Sequence, residues 1–235
     1  MSLVPARISG IFPGAGLRGR TDGVTIVVYD ASYTTYCPAE IPFMNTVSEM
    51  RLWSLYLWDA MLLIWIVGMF LTRRTLRRQT LSSRFWQAGV IGLGIWLLFG
   101  TATGYPWLDG TLVPVTPAVA ISGFAALAAG LAFAVWARLT LGGNWSGTVT
   151  VKEGHTLVRR GPYRIVRHPI YTGILLGLAG SALTRGFLHS FIAIPVCAFG
   201  FWLKLCTEEQ FMFDQFGEEY LRYRREVRAL VPYVF

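Results

Sequence analysis

Hydrophobic and polar positions along this chain fall into long blocks, with no short alternation of the kind that marks half-buried strands. Four stretches, 52–71, 85–103, 117–137 and 187–205, are apolar over nearly their whole length. A helix needs about 20 such residues to cross a bilayer. A fifth stretch, 170–183 ("IYTGILLGLAGSAL"), is shorter and joins the last through the brief turn "TRGF". That pair predicts a helical hairpin whose first arm is tilted or partly buried among its neighbours.

The polar blocks differ in sign from one side to the other. The loop "TRRTLRRQTLSSR" holds five arginines, the 138–168 loop six Lys or Arg, and the region from Lys204 to Arg228 five. The alternate loops hold none in "YPWLDGTLVPVTP" and only Arg185 in the hairpin turn. Cytoplasmic loops carry the excess of Lys and Arg, so all three basic regions are expected on the cytoplasmic face. The C-terminus is then inside and, after five crossings, the N-terminus outside, as for a multi-pass protein of a prokaryotic inner membrane. The fold class expected is an all-α integral membrane protein with about five transmembrane helices.

The first fifty residues break this pattern. Their Pro, Gly and Tyr are scattered without helical period, their three arginines oppose the charge trend, and "VTIVVYD" suits a short strand. Residues 1–50 are therefore expected to be a poorly structured extension, with natural translation starting at Met44 or Met50, and residues 51–235 a membrane domain. N-terminal sequencing of natively expressed protein checks that start.

Composition agrees with the pattern. Of 235 residues 54% are hydrophobic and 14% charged, with a mean hydropathy of +0.47, where soluble domains carry about 25% charged residues. The net charge of +8 is accounted for by the topology signal and headgroup contact, which makes nucleic acid a poor partner. Cys37, Cys197 and Cys206 are odd in number and lack metal-ligand spacing, so neither a disulfide framework nor a metal site is expected.

The densest chemistry lies in "RRGPYRIVRHPIY", residues 159–171. Gly161-Pro162 predicts a turn. Pro169 pushes His168 out of helical geometry and suits the first turn of the next helix. His168 is thereby placed at a helix N-terminus, where backbone N–H groups and the dipole favour anionic groups. The competing reading is an interfacial anchor, with Arg for headgroups and Tyr in the aromatic belt. A second cluster follows the last span in "KLCTEEQFMFDQFGEEYLRYRREV". Lys204 and Glu208 share one helix face. Glu208 and Glu209 directly follow apolar sequence, where an unpaired carboxylate is costly, and the arginines of the preceding loop are on the same side to meet them. "EEYLRYRREV" suits an amphipathic helix on the membrane surface. Asp59, inside the first span, is either functional or locally paired. Gly173 and Gly177 form a GxxxG suited to close helix packing, His189 reads as structural, and "GGNWSG" at 142–147 as a turn with an interfacial Trp.

Taken together, "HTLV" at 155–158, "GPY" at 161–163, "RHPIYTG" at 167–173 and "EE…FGEEYLRYRREV" at 208–227 resemble the isoprenylcysteine carboxyl methyltransferase family, grouped with the phospholipid methyltransferases among small membrane methyltransferases. The resemblance covers roughly residues 85–235. It implies an enzyme using S-adenosylmethionine, with a cytosolic pocket formed by the loop before the fourth span and the C-terminal helices. Carried onto this sequence, the cofactor residues would be His155, Thr156, Leu157, Val158, Tyr163, His168, Pro169, Ile170, Tyr171 and Glu208. Lys204 stands where eukaryotic members have an arginine near the substrate carboxylate, and with Glu208 it is the expected catalytic pair. Thr150 stands near where the family often has a glutamine.

The acceptor implied is a lipophilic molecule entering from the bilayer, foremost the carboxylate of an isoprenylcysteine-like or other lipid acid. Such a nucleophile is already ionised at neutral pH, so positioning and desolvation suffice and no Ser/His/Asp or Cys/His set is needed; positioning alone is worth about 7–11 kcal/mol. Two enzymatic alternatives stay open. A phospholipid amine N-methyltransferase would need a base, either a glutamate or His168. A sterol-type reductase would bind NADPH through Arg159, Arg160 and Arg164. From a different class, the chain could be a non-enzymatic membrane scaffold. Oligomeric state is left open by the sequence.

Overall fold

The computed structural model describes residues 15–21, 24–29, 42–70, 75–78, 81–100, 103–142, 150–152 and 157–232, with the backbone alone described in the strands and at 42–45 and 81–84. Two compact units result, Met1–Asn45 and Thr46–Phe235. In the first, β1 (Ala15–Thr21) pairs antiparallel with β2 (Val24–Tyr29). β2 is the strand expected in "VTIVVYD".

The second unit is helical. α1 (Pro42–Phe70), whose first turn lies in the other unit, is followed by α2 (Leu81–Phe99), α3 (Pro117–Leu141), α4 (Pro169–Arg185), α5 (Leu188–Phe216) and α6 (Glu218–Glu226). Each of the five apolar stretches lies mostly within one of these helices. Three of them, Thr46–Phe70, Pro117–Leu141 and Leu188–Phe216, are long and apolar enough to cross a membrane, while the apolar part of α2, Phe85–Phe99, is shorter. α4 has 17 residues, in line with the short first arm of a hairpin. α1 starts inside the segment assigned to the extension, and α5 continues past 205, so Lys204, Glu208 and Glu209 lie on one unbroken helix.

Helix ends follow local chemistry. Thr116 caps α3, its hydroxyl accepting from the Val119 N–H at 3.3 Å with Pro117 next in sequence, as N-caps do. The hairpin turn between α4 and α5 rests on Gly186, at φ +78°, the left-handed geometry that glycine adopts without a Cβ penalty.

α3 and α4 pack through small residues. A Cβ placed on Gly130 or on Gly173 would sit 2.5 Å from the other residue's carbonyl oxygen, so the backbones meet with no room for a side chain. This is the close packing expected of the GxxxG. α2 and α5 form the second pair, and Leu97, Leu98, Cys197, Phe201 and Leu205 enclose a core with Tyr171 and Leu178 of α4. α1 joins by side chains. Arg51 donates to the Thr184 and Arg185 carbonyls at 3.0 Å each, Trp58 Nε1 to the Ser181 hydroxyl at 2.9 Å, and Arg138 to the Gly68 carbonyl at 2.7 Å. His189 is structural as read, its Nδ1–H donating to the Leu97 carbonyl at 2.6 Å. Asp59 is exposed on α1 and makes no local pair among the described residues.

The basic loops share one end of the unit. β3 (Thr75–Arg78), from the first, pairs antiparallel with β4 (Thr150–Lys152), from the second. Arg167 in the second meets Glu209 beyond the last span. The charge-poor loops meet at the other end, where the Leu112 N–H donates to the Gly186 carbonyl at 2.8 Å and the Leu188 N–H to the Gly110 carbonyl at 2.9 Å. The grouping of loops is the one the arginine count predicts.

Candidate functional site

At the basic end the chain enters α4 through a 3-10 turn, Gly161–Arg164, that buries Pro162 and Tyr163. His168 is outside helical geometry, at φ −122° and ψ 60°, because Pro169 disfavours the helical region for the residue before it. Its backbone is held from the C-terminal segment. Val166 bridges Arg228 in parallel, the Arg167 N–H donates to the Arg228 carbonyl at 2.7 Å, and the His168 N–H to the Ala229 carbonyl at 3.0 Å. Thr172 Oγ1 adds a bond to the Leu230 carbonyl at 2.7 Å. From α6 the Tyr223 hydroxyl donates to the Tyr163 carbonyl at 2.6 Å. The amphipathic helix thus packs against the loop, as its buried Tyr220 and Tyr223 show.

The imidazole of His168 lies between two carboxylates. Nδ1 is 3.4 Å from Glu208 Oε2, and Nε2 is 3.3 Å from Glu209 Oε1. Both nitrogens face acceptors, and only the doubly protonated ring donates from both. Burial by itself would push the His168 pKa down, but the hydrogen bonds and charges of Glu208 and Glu209 outweigh it and leave the value raised.

The two glutamates are treated differently. Glu209 Oε1 accepts from Arg167 Nε at 2.8 Å and Nη2 at 2.6 Å, while its Oε2 is 3.4 Å from Arg224 Nε. Arg167 is fixed in turn by the carbonyls of Arg224 and Val227. With side chains 8% and 10% exposed, Arg167 and Glu209 form a buried ion pair. Glu208 keeps 23% of its side chain open, and its Oε1 accepts from the Tyr171 hydroxyl. The Tyr171 ring stacks on His168 at 5.8 Å and on Phe201 at 5.1 Å, with Lys204 Nζ 5.5 Å from its centroid, within cation–π range.

Tyr163, His168, Tyr171, Lys204 and Glu208 therefore converge, Tyr163 being near enough to Glu208 to feel its charge. Pro169 is buried beside them and Ile170 half-buried. Leu157 and Val158 are half-buried before the turn, while His155, Thr156 and residues 143–147 of the "GGNWSG" turn lie outside the described residues. Sequence reasoning placed arginines opposite the glutamates without identifying Arg167 and Arg224 as the ones engaged, nor Glu209 as the buried member. One signal was available: Glu209 lies one turn after Leu205 on the buried face of α5, whereas adjacent helical residues point about 100° apart.

Comparison with known proteins finds partial matches over the part of the chain that holds this cluster. Residues 118–219 match the family model described as "Phospholipid methyltransferase", a span from the first turn of α3 into α6. Protein-S-isoprenylcysteine O-methyltransferase A of Arabidopsis thaliana is 32% identical over 101 residues, which are 42% of this chain and 51% of that protein. Methanethiol S-methyltransferase 1 of Bradyrhizobium diazoefficiens is 33% identical over 72 residues, 30% of this chain and 24% of that one. A solved eukaryotic intramembrane Ras methyltransferase, isoprenylcysteine carboxyl methyltransferase, is similar at a TM-score of 0.45 and 23% identity, over 66% of this chain and 55% of that one. The matches span about half the length of the first isoprenylcysteine O-methyltransferases.

Proposed function

We propose, from the premise that this chain is a relative of the isoprenylcysteine carboxyl methyltransferases, that it transfers a methyl group from S-adenosylmethionine to the carboxylate of a lipophilic acceptor. Orientation follows the same reading: the basic end and the C-terminus face the cytoplasm, the N-terminus lies outside, and the helices cross the bilayer five times.

The observation that carries the choice of acceptor is the state of His168. With both ring nitrogens turned to carboxylates it is held as a double donor and has no lone pair to accept a proton. The site thus suits an acceptor that arrives ionised, such as a lipid acid. An amine acceptor would have to lose a proton, and the competing amine reading, favoured by the printed name of the matching family, leaves that task to Glu208.

The donor's chemistry fits the residues present. S-adenosylmethionine supplies an electrophilic methyl on a sulfonium and carries an ammonium, a carboxylate and a ribose diol. Glu208, the open carboxylate of the pair, suits the ammonium or the diol, and the α4 N-terminus behind His168 suits the carboxylate. Leu157, Val158, Tyr163, Pro169, Ile170 and Tyr171 form the remaining wall, with His155 and Thr156 assigned to it from the family pattern. Lys204, four residues before Glu208 on the same helix, holds the acceptor carboxylate as a point charge without the fork of an arginine. These residues orient and desolvate the reactants; that is their contribution to the rate.

The test is calorimetric titration of detergent-purified protein with S-adenosylmethionine, S-adenosylhomocysteine and NADPH in parallel. Binding of both adenosyl ligands, lost in His168→Ala and in Glu208→Ala, is the expected result. NADPH binding alone would make the chain a reductase relative, and normal donor affinity in both variants would remove the site assignment. Lys204→Ala is expected to raise KM for the acceptor about tenfold while leaving donor affinity unchanged, the signature of lost ground-state binding.

A further inference from the structure

α1 and α4 each bring an arginine to the charge-poor end of the unit, and the two lie together. Arg51 donates from Nε to the Thr184 carbonyl and from Nη2 to the Arg185 carbonyl, at 3.0 Å each. Arg185 in turn donates from Nη2 to the Gly100 carbonyl at 2.9 Å and the Phe99 carbonyl at 3.3 Å. The two guanidiniums remain close enough to repel each other. This pairing stands where the sequence has fewest cations: the loops that join helices at this end hold no Lys or Arg besides Arg185.

The helix-end carbonyls account for one edge of each guanidinium, since a cation complements the negative end of a helix. They leave donors and charge over. A guanidinium has five N–H donors; Nη1 of Arg51 and of Arg185 makes no hydrogen bond to a described residue, and Arg185 Nε is buried with no acceptor. No described carboxylate answers the two charges. Glu49 is exposed, Asp109 accepts from the Thr103 N–H and hydroxyl at 2.9 Å each, and neither pairs with Arg51 or Arg185. Depth is the second observation. α4 has 17 residues and rises about 25 Å from the level of His168 to Arg185. The hydrocarbon layer is about 30 Å thick, so the arginines lie at its far boundary, where lipid phosphates begin. Aromatic rings flank them: Arg51 is 5.9 Å from the Phe187 centroid, Arg185 6.0 Å from that of Phe99, and Trp58 meets Phe99 edge-on at 6.3 Å. Aromatic residues favour the same interfacial depth.

We propose that Arg51 and Arg185 bind the phosphodiester of an anionic phospholipid in the leaflet facing away from the basic loops. Guanidinium and phosphate make strong charge-assisted hydrogen bonds, and one phosphate between the two cations accepts from both and offsets their repulsion. The headgroup follows from what the site lacks among the described residues. With no carboxylate paired to the arginines, nothing there holds an ammonium, so a glycerol headgroup fits better than choline or ethanolamine. A free phosphate ion offers the same oxygens. The lipid is the better occupant because its acyl chains hold the phosphate at this depth, beside Phe99, Phe187 and Trp58. Bound there, it fastens the start of α1 to the ends of α2 and α4, whose carbonyls the same arginines already engage. The proposal rests on the helices crossing the bilayer and is independent of the methyl-transfer reading.

The experiment titrates the full, detergent-purified chain with phosphatidylglycerol, phosphatidylcholine or inorganic phosphate and counts retained molecules by native mass spectrometry. The expected result is one tightly held phosphatidylglycerol, bound at least tenfold more tightly than phosphatidylcholine and not displaced by millimolar phosphate. Arg51→Gln and Arg185→Gln should each weaken it at least tenfold. Arg222→Gln and Arg225→Gln, which remove exposed cations at the basic end, should leave it unchanged. Equal retention of the two lipids would overturn the proposal, as would full retention in both Arg51→Gln and Arg185→Gln. Displacement of the lipid by phosphate at equal affinity would make the occupant a free anion and the lipid assignment wrong. A second measurement needs no arginine variant to fold. Phosphatidylglycerol carrying a photoreactive headgroup is crosslinked to the parent chain in vesicles, and the labelled peptides are mapped. Label on the start of α1 and around Arg185–Phe187 is expected; label confined to the basic loops would place the lipid at the other end and overturn the site.

Discussion

The two ends of this helical unit each hold a buried histidine, and they use it in opposite ways. His189, 1% exposed, gives its Nδ1–H to the Leu97 carbonyl and stacks on Phe187 at 5.2 Å. His168, 9% exposed, lies between two carboxylates. The arginines divide in the same manner. Arg51 and Arg185 end on carbonyls near the C-termini of α4 and α2, where a cation complements the helix dipole. Arg167 ends on Glu209. At the charge-poor end side chains finish what the backbone left unpaired. At the basic end carboxylates and cations have been gathered beyond any backbone need, and one carboxylate, Glu208, stays partly open. Burial and residue type do not separate these two histidines; the groups that their ring nitrogens meet do.

The largest effect that would sharpen this contrast is on stability. Arg167→Ala leaves Glu209 buried without its main counter-charge, and breaking such a pair costs about 3–5 kcal/mol. A steep fall in the thermal midpoint in detergent is expected, with Arg167→Lys recovering only part because lysine lacks the fork that engages Glu209. A midpoint within a degree or two of the parent would mean that Arg167 is dispensable to the cluster.

Next comes the histidine pair. His168→Ala is expected to weaken S-adenosylmethionine binding at least ~100-fold, about 2.7 kcal/mol, in protein that remains folded. His189→Ala should keep donor affinity and lose about 1–3 kcal/mol of stability through the unpaired Leu97 carbonyl. Equal loss of binding in both variants would abolish the distinction between the two ends.

The smallest effect is the pH dependence. The groups facing His168 are Glu208 and Glu209, with Arg167, Tyr171 and Lys204 around them. The folded pKa of His168 is raised, so its contribution to stability is complete below the unfolded value of about 6.5 and is lost as pH rises through the folded value. The stability of the parent should therefore decline from about pH 6.5 into the alkaline range more than that of His168→Gln. Parallel curves would show that the ring carries no extra proton in the folded protein.

Much of this could be read without coordinates. Long apolar blocks specify helices because a buried backbone must pair internally, and the arginine count grouped the loops that the β3–β4 pairing and the Arg167–Glu209 bridge bring together. Prolines at 162 and 169 and glycines at 161 and 186 mark the turns, because their backbone preferences act locally. The family motifs pointed to His168, Tyr171 and Glu208 by spacing along the chain. Only the tertiary structure decided which glutamate is enclosed and which is open, since Glu208 and Glu209 are neighbours in sequence but face different partners around α5. It also decided that residues 227–230 hold the His168 backbone, and that His189 ends on a carbonyl. These outcomes depend on contacts between segments distant along the chain. Hydropathy and charge pattern set which segments become helices and which loops lie together; the packing of α4, α5 and the C-terminal segment sets which polar atom each buried side chain meets.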